Sequence, residues 1–396
     1  GGAPGNAGRC PAPAVAPTRD FVPEPIWQED LEDAMRSQAQ LARPFPRGGD
    51  FAFVRRLQPA SRNNGYVDEA RLGGRAVAVK KMPSWWICAS HEEFERSHPG
   101  ESERPWTDLA LLSELQRRRY PYSCDLVGLF HRGAVHGVAT ALATEGNLLD
   151  WCNGRPGPGP ARERQLRPLA TQMCHAVQLL HDLGVAHRDL SPENVLLTEC
   201  EECQGGLRVK LVDFSMASLG QHASLGHRVG KGPYVAPEQL AEGGGDYDAF
   251  LADVFSLGVV VCSAAVSDHP WLTAMPAEVP LEGPRHAGST RELLGRLRPG
   301  DRARALPELV SPALLDLLCA VLEPDPRWRA CLGEACYRHG GRASAWSSRW
   351  LGGAGPAPTA PPSPGRKRGP PGSDASLRSV STSSGATAET LPSVEP

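Results

Sequence analysis

Four polar residues stand where apolar stretches end. Lys80 closes AVAVK (76–80), Asp189 and Asn194 lie five residues apart in VAHRDLSPENVLL (185–197), and Asp213 follows the apolar part of KLVDFS (210–215). Two carboxylates and a carboxamide are oxygen donors of the kind a hard divalent cation takes, and a lysine is a compact positive charge on a flexible stem. Brought together, such a set suits chemistry on a polyanion. None of the four has an evident role in a core, so a purely structural reading of them is the weaker one.

The order of the surrounding motifs adds a resemblance. Lys80 on a strand, HRD with its Asn, and D-F-S are followed by YVAPE (234–238), DVFSLG (253–258) and DPRWR (325–329). A lone HRD says little; six motifs in sequence say much more. Across these motifs the chain resembles a eukaryotic-type protein kinase. SPEN (191–194) is closer to the Ser/Thr kinases than to the A-A-R-N of tyrosine kinases. The resemblance implies an α+β, two-lobed protein-kinase-like fold, with a small β-rich N-lobe and a larger helical C-lobe. It also implies transfer of phosphate from ATP, with Mg²⁺, to a protein substrate.

Roles follow from the same resemblance. Lys80 would hold the α- and β-phosphates, Asp189 would orient the substrate hydroxyl and accept its proton, and Asn194 and Asp213 would hold Mg²⁺. Gly65, Val67 and Ala78 would line the nucleotide site. Thr140 falls at the gatekeeper position, with Ala141 and Ala143 offering backbone groups to adenine. Glu238 is expected to pair with Arg329, Asp253 to anchor the catalytic loop through backbone N–H groups, and Arg188 is of the kind that receives a phosphorylated activation loop.

The chain departs from the family at several of these positions. QPASRNNGYVDEARL (58–72) keeps only Gly65 where the family has three glycines, with Ala60 and Arg62 at the first two positions, so its backbone closes less tightly over phosphates. Asp108 stands where the family's helix carries the glutamate that pairs with the lysine. It is one methylene shorter, so its helix must sit nearer to Lys80. Glu114, six residues on, is off that face. Ser215 replaces the glycine of D-F-G. Ser191 stands where Ser/Thr kinases carry Lys, and Lys231 where they carry Thr. These last two form an exchanged pair of catalytic candidates. A scaffold with little or no nucleotide binding is therefore the alternative, and a small-molecule kinase of related fold ranks below both.

The elements that must position these residues are legible as patterns. Residues 1–25 read as a disordered Pro/Ala/Gly tract, and 26–49 as a short amphipathic helix with a linker. The kinase domain is expected over 50–340, divided near 143/144, and a disordered Pro/Gly/Ser tail over 341–396. Helices are expected at TDLALLSELQRRR (107–119), at 161–184 ending on a glycine, at 253–266 buried on all sides, and at 311–324 opening on Ser-Pro. With Lys plus Arg at 42 against Asp plus Glu at 45, the net charge of −3 argues against nucleic acid as a partner. Gly (42) and Pro (38) belong mainly to loops and tails. No membrane span and no signal peptide are expected, and eleven scattered cysteines suit reduced thiols in an intracellular compartment, cytoplasmic or nuclear. Oligomeric state is not readable. Cys200 and Cys203 form a C-x-x-C without a second pair at zinc spacing, so an ordinary loop is favoured. GRKRG (365–369) and the exposed Ser379 and Ser381 read as features of a solvated tail.

Overall fold

The computed structural model describes residues 21, 23–46, 50–60, 64–225, 229–241, 245–271, 289–298 and 304–353. The N-terminal part holds helix α1 (Gln28–Leu41) and six strands: β1 (Arg43–Pro44), β2 (Phe51–Ala60), β3 (Gly65–Leu72), β4 (Arg75–Pro83), β5 (Leu126–Arg132) and β6 (Val135–Ala141). They form one sheet in the order β1-β5-β6-β4-β3-β2. Between β4 and β5 lie α2 (Ser84–Ile87), α3 (His91–Ser97) and α4 (Pro105–Arg117). Only the last was expected; SWWI and HEEFERS are too short to show a helical period.

Antiparallel register decides what the sheet presents to the cleft. Val67 lies opposite Lys80, and Lys80 lies opposite Val138. Ala78, two residues before Lys80, lies opposite Thr140. Side chains alternate along a strand and directly paired residues share a face, so Val67, Ala78, Lys80 and Thr140 all project to one side. The alternate residues Val77, Val79 and Ala139 join Phe45, Ala70 and Phe130 in a small apolar cluster on the other side.

The helical part contains α5 (Leu148–Asn153), α6 (Pro160–Asp182), α7 (Ala249–Val266), α8 (Ser289–Arg296), α9 (Leu306–Leu309) and α10 (Pro312–Val321). Short strands β7 (Val185–Ala186), β8 (Val195–Glu199), β9 (Leu207–Leu211), β10 (Ser218–Leu219), β11 (His222–Ser224) and β12 (Asp246–Asp248) pair as β7–β10, β8–β9 and β11–β12. Proline at the first position opens α4, α6 and α10, and the Ser311 hydroxyl caps α10 by accepting from Leu314 N–H at 3.3 Å. The α6 chain turns out at Gly184, whose φ of +79° suits a residue without Cβ. Every residue of α7 is buried. It is long and apolar enough to cross a membrane, but here it is the central core helix of the fold. A Cβ on its Gly258 would lie 2.7 Å from Val321 Cγ2, so this glycine lets α7 and α10 approach closely.

Two connections lie beyond what the patterns foretold. Helix α1 docks along α4, burying Leu31, Ala34 and Met35, while Gln38 Nε2 donates to Ser113 Oγ at 3.2 Å. Arg118, just past α4, donates to Glu24 O at 3.0 Å and Asp30 Oδ2 at 3.1 Å. The expected tail boundary at 341 is also corrected. Trp346 and Trp350 are buried, and their indole N–H groups donate to Leu332 O at 2.6 Å and Glu163 Oε2 at 2.9 Å. Two tryptophans with satisfied N–H groups outweigh the local Ser/Gly/Arg composition. The packed domain therefore runs to Gly353, and GRKRG, Ser379 and Ser381 lie outside the described residues, as do residues 1–20.

Candidate active site

Lys80 is the hub of the first half of the site. Its ammonium donates to Asp213 Oδ1 at 3.0 Å and to Asp108 Oδ2 at 3.5 Å. The other Asp108 oxygen accepts from Phe214 N–H at 2.9 Å. The shorter carboxylate thus reaches Lys80 because α4 sits close enough, with α1 packed along it. Ser215 Oγ adds a hydrogen bond to Asp213 Oδ1 at 2.9 Å, and Asp213 holds a left-handed backbone with φ +66° and ψ +68°. The serine that replaces glycine therefore ties down the segment it belongs to.

These charges perturb one another strongly. Burial would lower the Lys80 pKa, but the carboxylates of Asp213, Asp108 and Glu103 raise it above the ordinary lysine value. Burial pushes Asp213 up, yet the adjacent Lys80 outweighs it and holds that carboxyl at about 2. Asp108 goes the other way: its desolvation exceeds the pull of Lys80, so its pKa is raised. Glu103, buried in a stretch that reads as solvated (PGESERPW), was not foreseen as a contributor to this field.

The catalytic loop forms the second half. Asp189, Ser191 and Asn194 are all buried. Asn194 Nδ2 donates to Asp189 O at 2.7 Å and to Asp189 Oδ2 at 3.0 Å. With its amide nitrogen so committed, Asn194 has its carbonyl oxygen to offer a cation, and Asp213 follows β9, whose Val195–Leu211 pairing joins it to the same loop. The Val212 N–H donates to Asn194 O at 3.1 Å, fixing the two candidate metal ligands on adjoining backbone. This donor set of carboxylate and amide oxygens fits Mg²⁺.

The loop is held from below as expected. Asp253 accepts from His187 N–H at 2.6 Å and from Arg188 N–H at 2.8 Å. His181 bridges Asp253 and Glu334, with ring nitrogens 3.1 Å and 2.8 Å from their carboxylates. Burial disfavours its charge, but hydrogen bonds to the two carboxylates carry its pKa up to about 9. Arg329 pairs bidentately with Glu238 at 2.5 and 2.8 Å. Arg188 Nε donates to Tyr247 OH at 3.0 Å.

Lys231 and Ser191 meet. The Lys231 ammonium donates to Ser191 Oγ at 2.7 Å and lies 3.7 Å from Glu193 Oε2. Gly65 begins β3 opposite Ala60, but residues 61–63, Arg62 among them, lie outside the described residues. Thr140 and Ala141 end β6, and Ala143 follows, all half-buried.

Residues 68–339 match the family model of the protein kinase domain, and the chain belongs to that family. Among curated proteins it is similar to the serine/threonine-protein kinase grp of Drosophila melanogaster, 32% identical over 205 residues, covering 51% of this chain and 35% of that one. It is likewise similar to the putative CBL-interacting protein kinase 27 of Oryza sativa subsp. japonica, 35% identical over 207 residues, covering 50% and 45%. The Drosophila melanogaster kinase Lok is 44% identical over 91 residues, covering 23% and 18%. The chain thus spans less than half the length of these relatives.

Proposed function

We propose that the domain transfers the γ-phosphate of ATP to serine or threonine hydroxyls of a protein substrate. The relatives named as Ser/Thr kinases and the SPEN sequence support that acceptor class. The observation that carries activity over a scaffold role is the 2.7 Å contact between Lys231 and Ser191. It brings a positive charge to the position two residues beyond Asp189 where the sequence lacks one.

In this reading Val67, Ala78 and Thr140 bound the adenine end, Gly65 covers the phosphates, and Ala141 and Ala143 supply backbone hydrogen bonds. Lys80, aligned by Asp108, contacts the α- and β-phosphates. Asn194 Oδ1 and Asp213 would hold Mg²⁺, which when bound neutralises phosphate charge. Asp189 orients the incoming hydroxyl and takes its proton. Lys231 approaches the phosphoryl oxygens, and Ser191 fixes its ammonium by accepting one hydrogen bond. Most of the acceleration comes from positioning and charge, as phosphoryl transfer demands.

The test is transfer from Mg·ATP to Ser/Thr and Tyr peptide libraries, with autophosphorylation, beside Asp213→Asn. Turnover on Ser/Thr peptides that disappears in Asp213→Asn supports the proposal. A well-folded protein that binds Mg·ATP weakly and phosphorylates nothing moves the reading to a scaffold.

A further inference from the structure

The turn between β8 and β9 carries chemistry that the kinase reading does not use. Cys203 N–H donates to Cys200 O at 3.1 Å, closing a four-residue turn around Glu201 and Glu202. Such a turn brings its first and last Cα atoms within about 7 Å, and a disulfide needs roughly 4.4–6.8 Å. The hairpin register sets this spacing: Cys200 N–H donates to Gly206 O at 2.9 Å, just beyond the Glu199–Leu207 pair.

Arg208 gives the two sulfurs different characters. It sits on β9, and its Nη2 donates to Cys200 Sγ at 3.3 Å. That contact, together with the neighbouring Cys203, favours a thiolate at Cys200 and outweighs its desolvation, so its pKa falls below the ordinary thiol value. Cys203 goes up to about 11, from burial first and then from the neighbouring Cys200. Both residues are partly exposed, within reach of a small oxidant. Buried Cys174 and Cys262, by contrast, have thiols that burial raises to about 12.

We infer that Cys200 and Cys203 are a redox-active pair, with Cys200 the thiolate that a peroxide oxidises and Cys203 the thiol that resolves it into a disulfide. In the first step the Cys200 sulfur attacks hydrogen peroxide. An S–O bond forms, the O–O bond breaks, and hydroxide leaves, so sulfur is oxidised by two electrons as the peroxide is reduced. The Cys203 sulfur then attacks the sulfenic acid at Cys200. The S–S bond forms, the S–O bond breaks, and the departing oxygen leaves as water with the proton of the Cys203 thiol. The modified turn lies on the hairpin whose second strand runs into Asp213.

The test uses the full reduced chain and peptide mass spectrometry. Brief limiting alkylation at neutral pH is expected to label Cys200 severalfold faster than the exposed Cys336, and Arg208→Gln to slow Cys200 without changing Cys336. Stoichiometric hydrogen peroxide should remove the mass of two hydrogens from the peptide containing both cysteines. In Cys203→Ser, dimedone should trap a sulfenic acid at Cys200; in Cys200→Ser, none should appear at Cys203. Equal alkylation of Cys200 and Cys336 in the unmutated chain overturns the inference without relying on any variant. So does peroxide treatment that leaves the pair reduced.

Discussion

At the Lys80 corner of the cleft every charge has its partner on the expected element, whereas at the Asp189 corner one lysine arrives from a different segment. Lys80, Asp108 and Asp213 form a tight set, in which a carboxylate one methylene short is met by the close approach of α4. Around Asp189 the cation comes from Lys231, forty residues along the chain from the hydroxyl it touches. The difference is one of constraint. In the proposed reaction Lys80 would have to satisfy the nucleotide, a metal ligand and a helix at once, so little could be exchanged there. A charge near the transferred group needs only the right location, and a flexible lysine can supply it from either neighbouring segment.

The largest effects should come from removing groups that nothing else duplicates. Lys80→Met and Asp189→Asn are each expected to lower kcat by about a thousandfold or more, judged by the losses that follow removal of transition-state contacts. The melt of the near-isosteric Asp189→Asn should remain close to the parent, whereas Lys80→Met, which leaves Asp108 and Asp213 without their shared cation, should melt lower. Near-parental activity in either mutant would overturn the role proposed for that residue.

The exchanged pair comes next. Lys231→Thr should lower kcat about a hundredfold, the equivalent of about 3 kcal/mol. Adding Ser191→Lys should recover much of that loss, since the ammonium then returns to the position beside Asp189. Additive losses in the double mutant, with no recovery, would show that the two sites do not share one function. Recovery would sharpen the contrast, proving the second corner tolerant of where its charge originates.

The anchoring beneath the second corner should be visible in pH dependence. His181 binds its proton up to a pKa of about 9 in the fold, above the ordinary 6.5 of the unfolded chain. Its contribution is thus fully present below about pH 6.5 and lost as pH rises toward 9. The loss is of order 3 kcal/mol by linkage. Stability measured by denaturant titration across this window should fall, and His181→Gln should flatten that fall. An unchanged slope in the mutant would assign the pH dependence to other groups.

The comparison also explains what was readable from sequence. The motifs that carry Lys80, Asp189, Asn194 and Asp213 were legible because their order along the chain is that of the family. The sheet face that gathers Val67, Ala78, Lys80 and Thr140 follows from strand alternation, which is local. The docking of α1 on α4 was not legible: its amphipathic pattern shows an apolar face but not the partner that covers it. The packing of 341–353 was hidden for a related reason. Trp346 and Trp350 are anchored by Leu332 and Glu163, distant in sequence, inside a stretch whose composition reads as a tail. For Cys200 and Cys203 the spacing was visible, but the guanidinium beside Cys200 was not.

The smallest expected effect tests the short carboxylate itself. Asp108 is buried, and desolvation raises its pKa, so its charge is held at a cost that Lys80 only partly offsets. Asparagine has nearly the same shape. Its amide oxygen can still accept from Phe214 N–H, the contact Asp108 Oδ1 makes at 2.9 Å. Lys80 would keep Asp213 at 3.0 Å as its partner. Asp108→Asn should therefore leave thermal stability nearly unchanged and lower kcat/KM by only about tenfold, through looser alignment of Lys80. Asp108→Glu restores the family's usual residue but adds a methylene to a packed site, so it should lower stability by about 1–3 kcal/mol. If Asp108→Asn instead loses as much activity as Lys80→Met, the negative charge and not the position of Asp108 is what the corner requires. If Asp108→Glu is both stable and more active, α4 has room to withdraw, and the close approach of α4 is not fixed by the packing of α1.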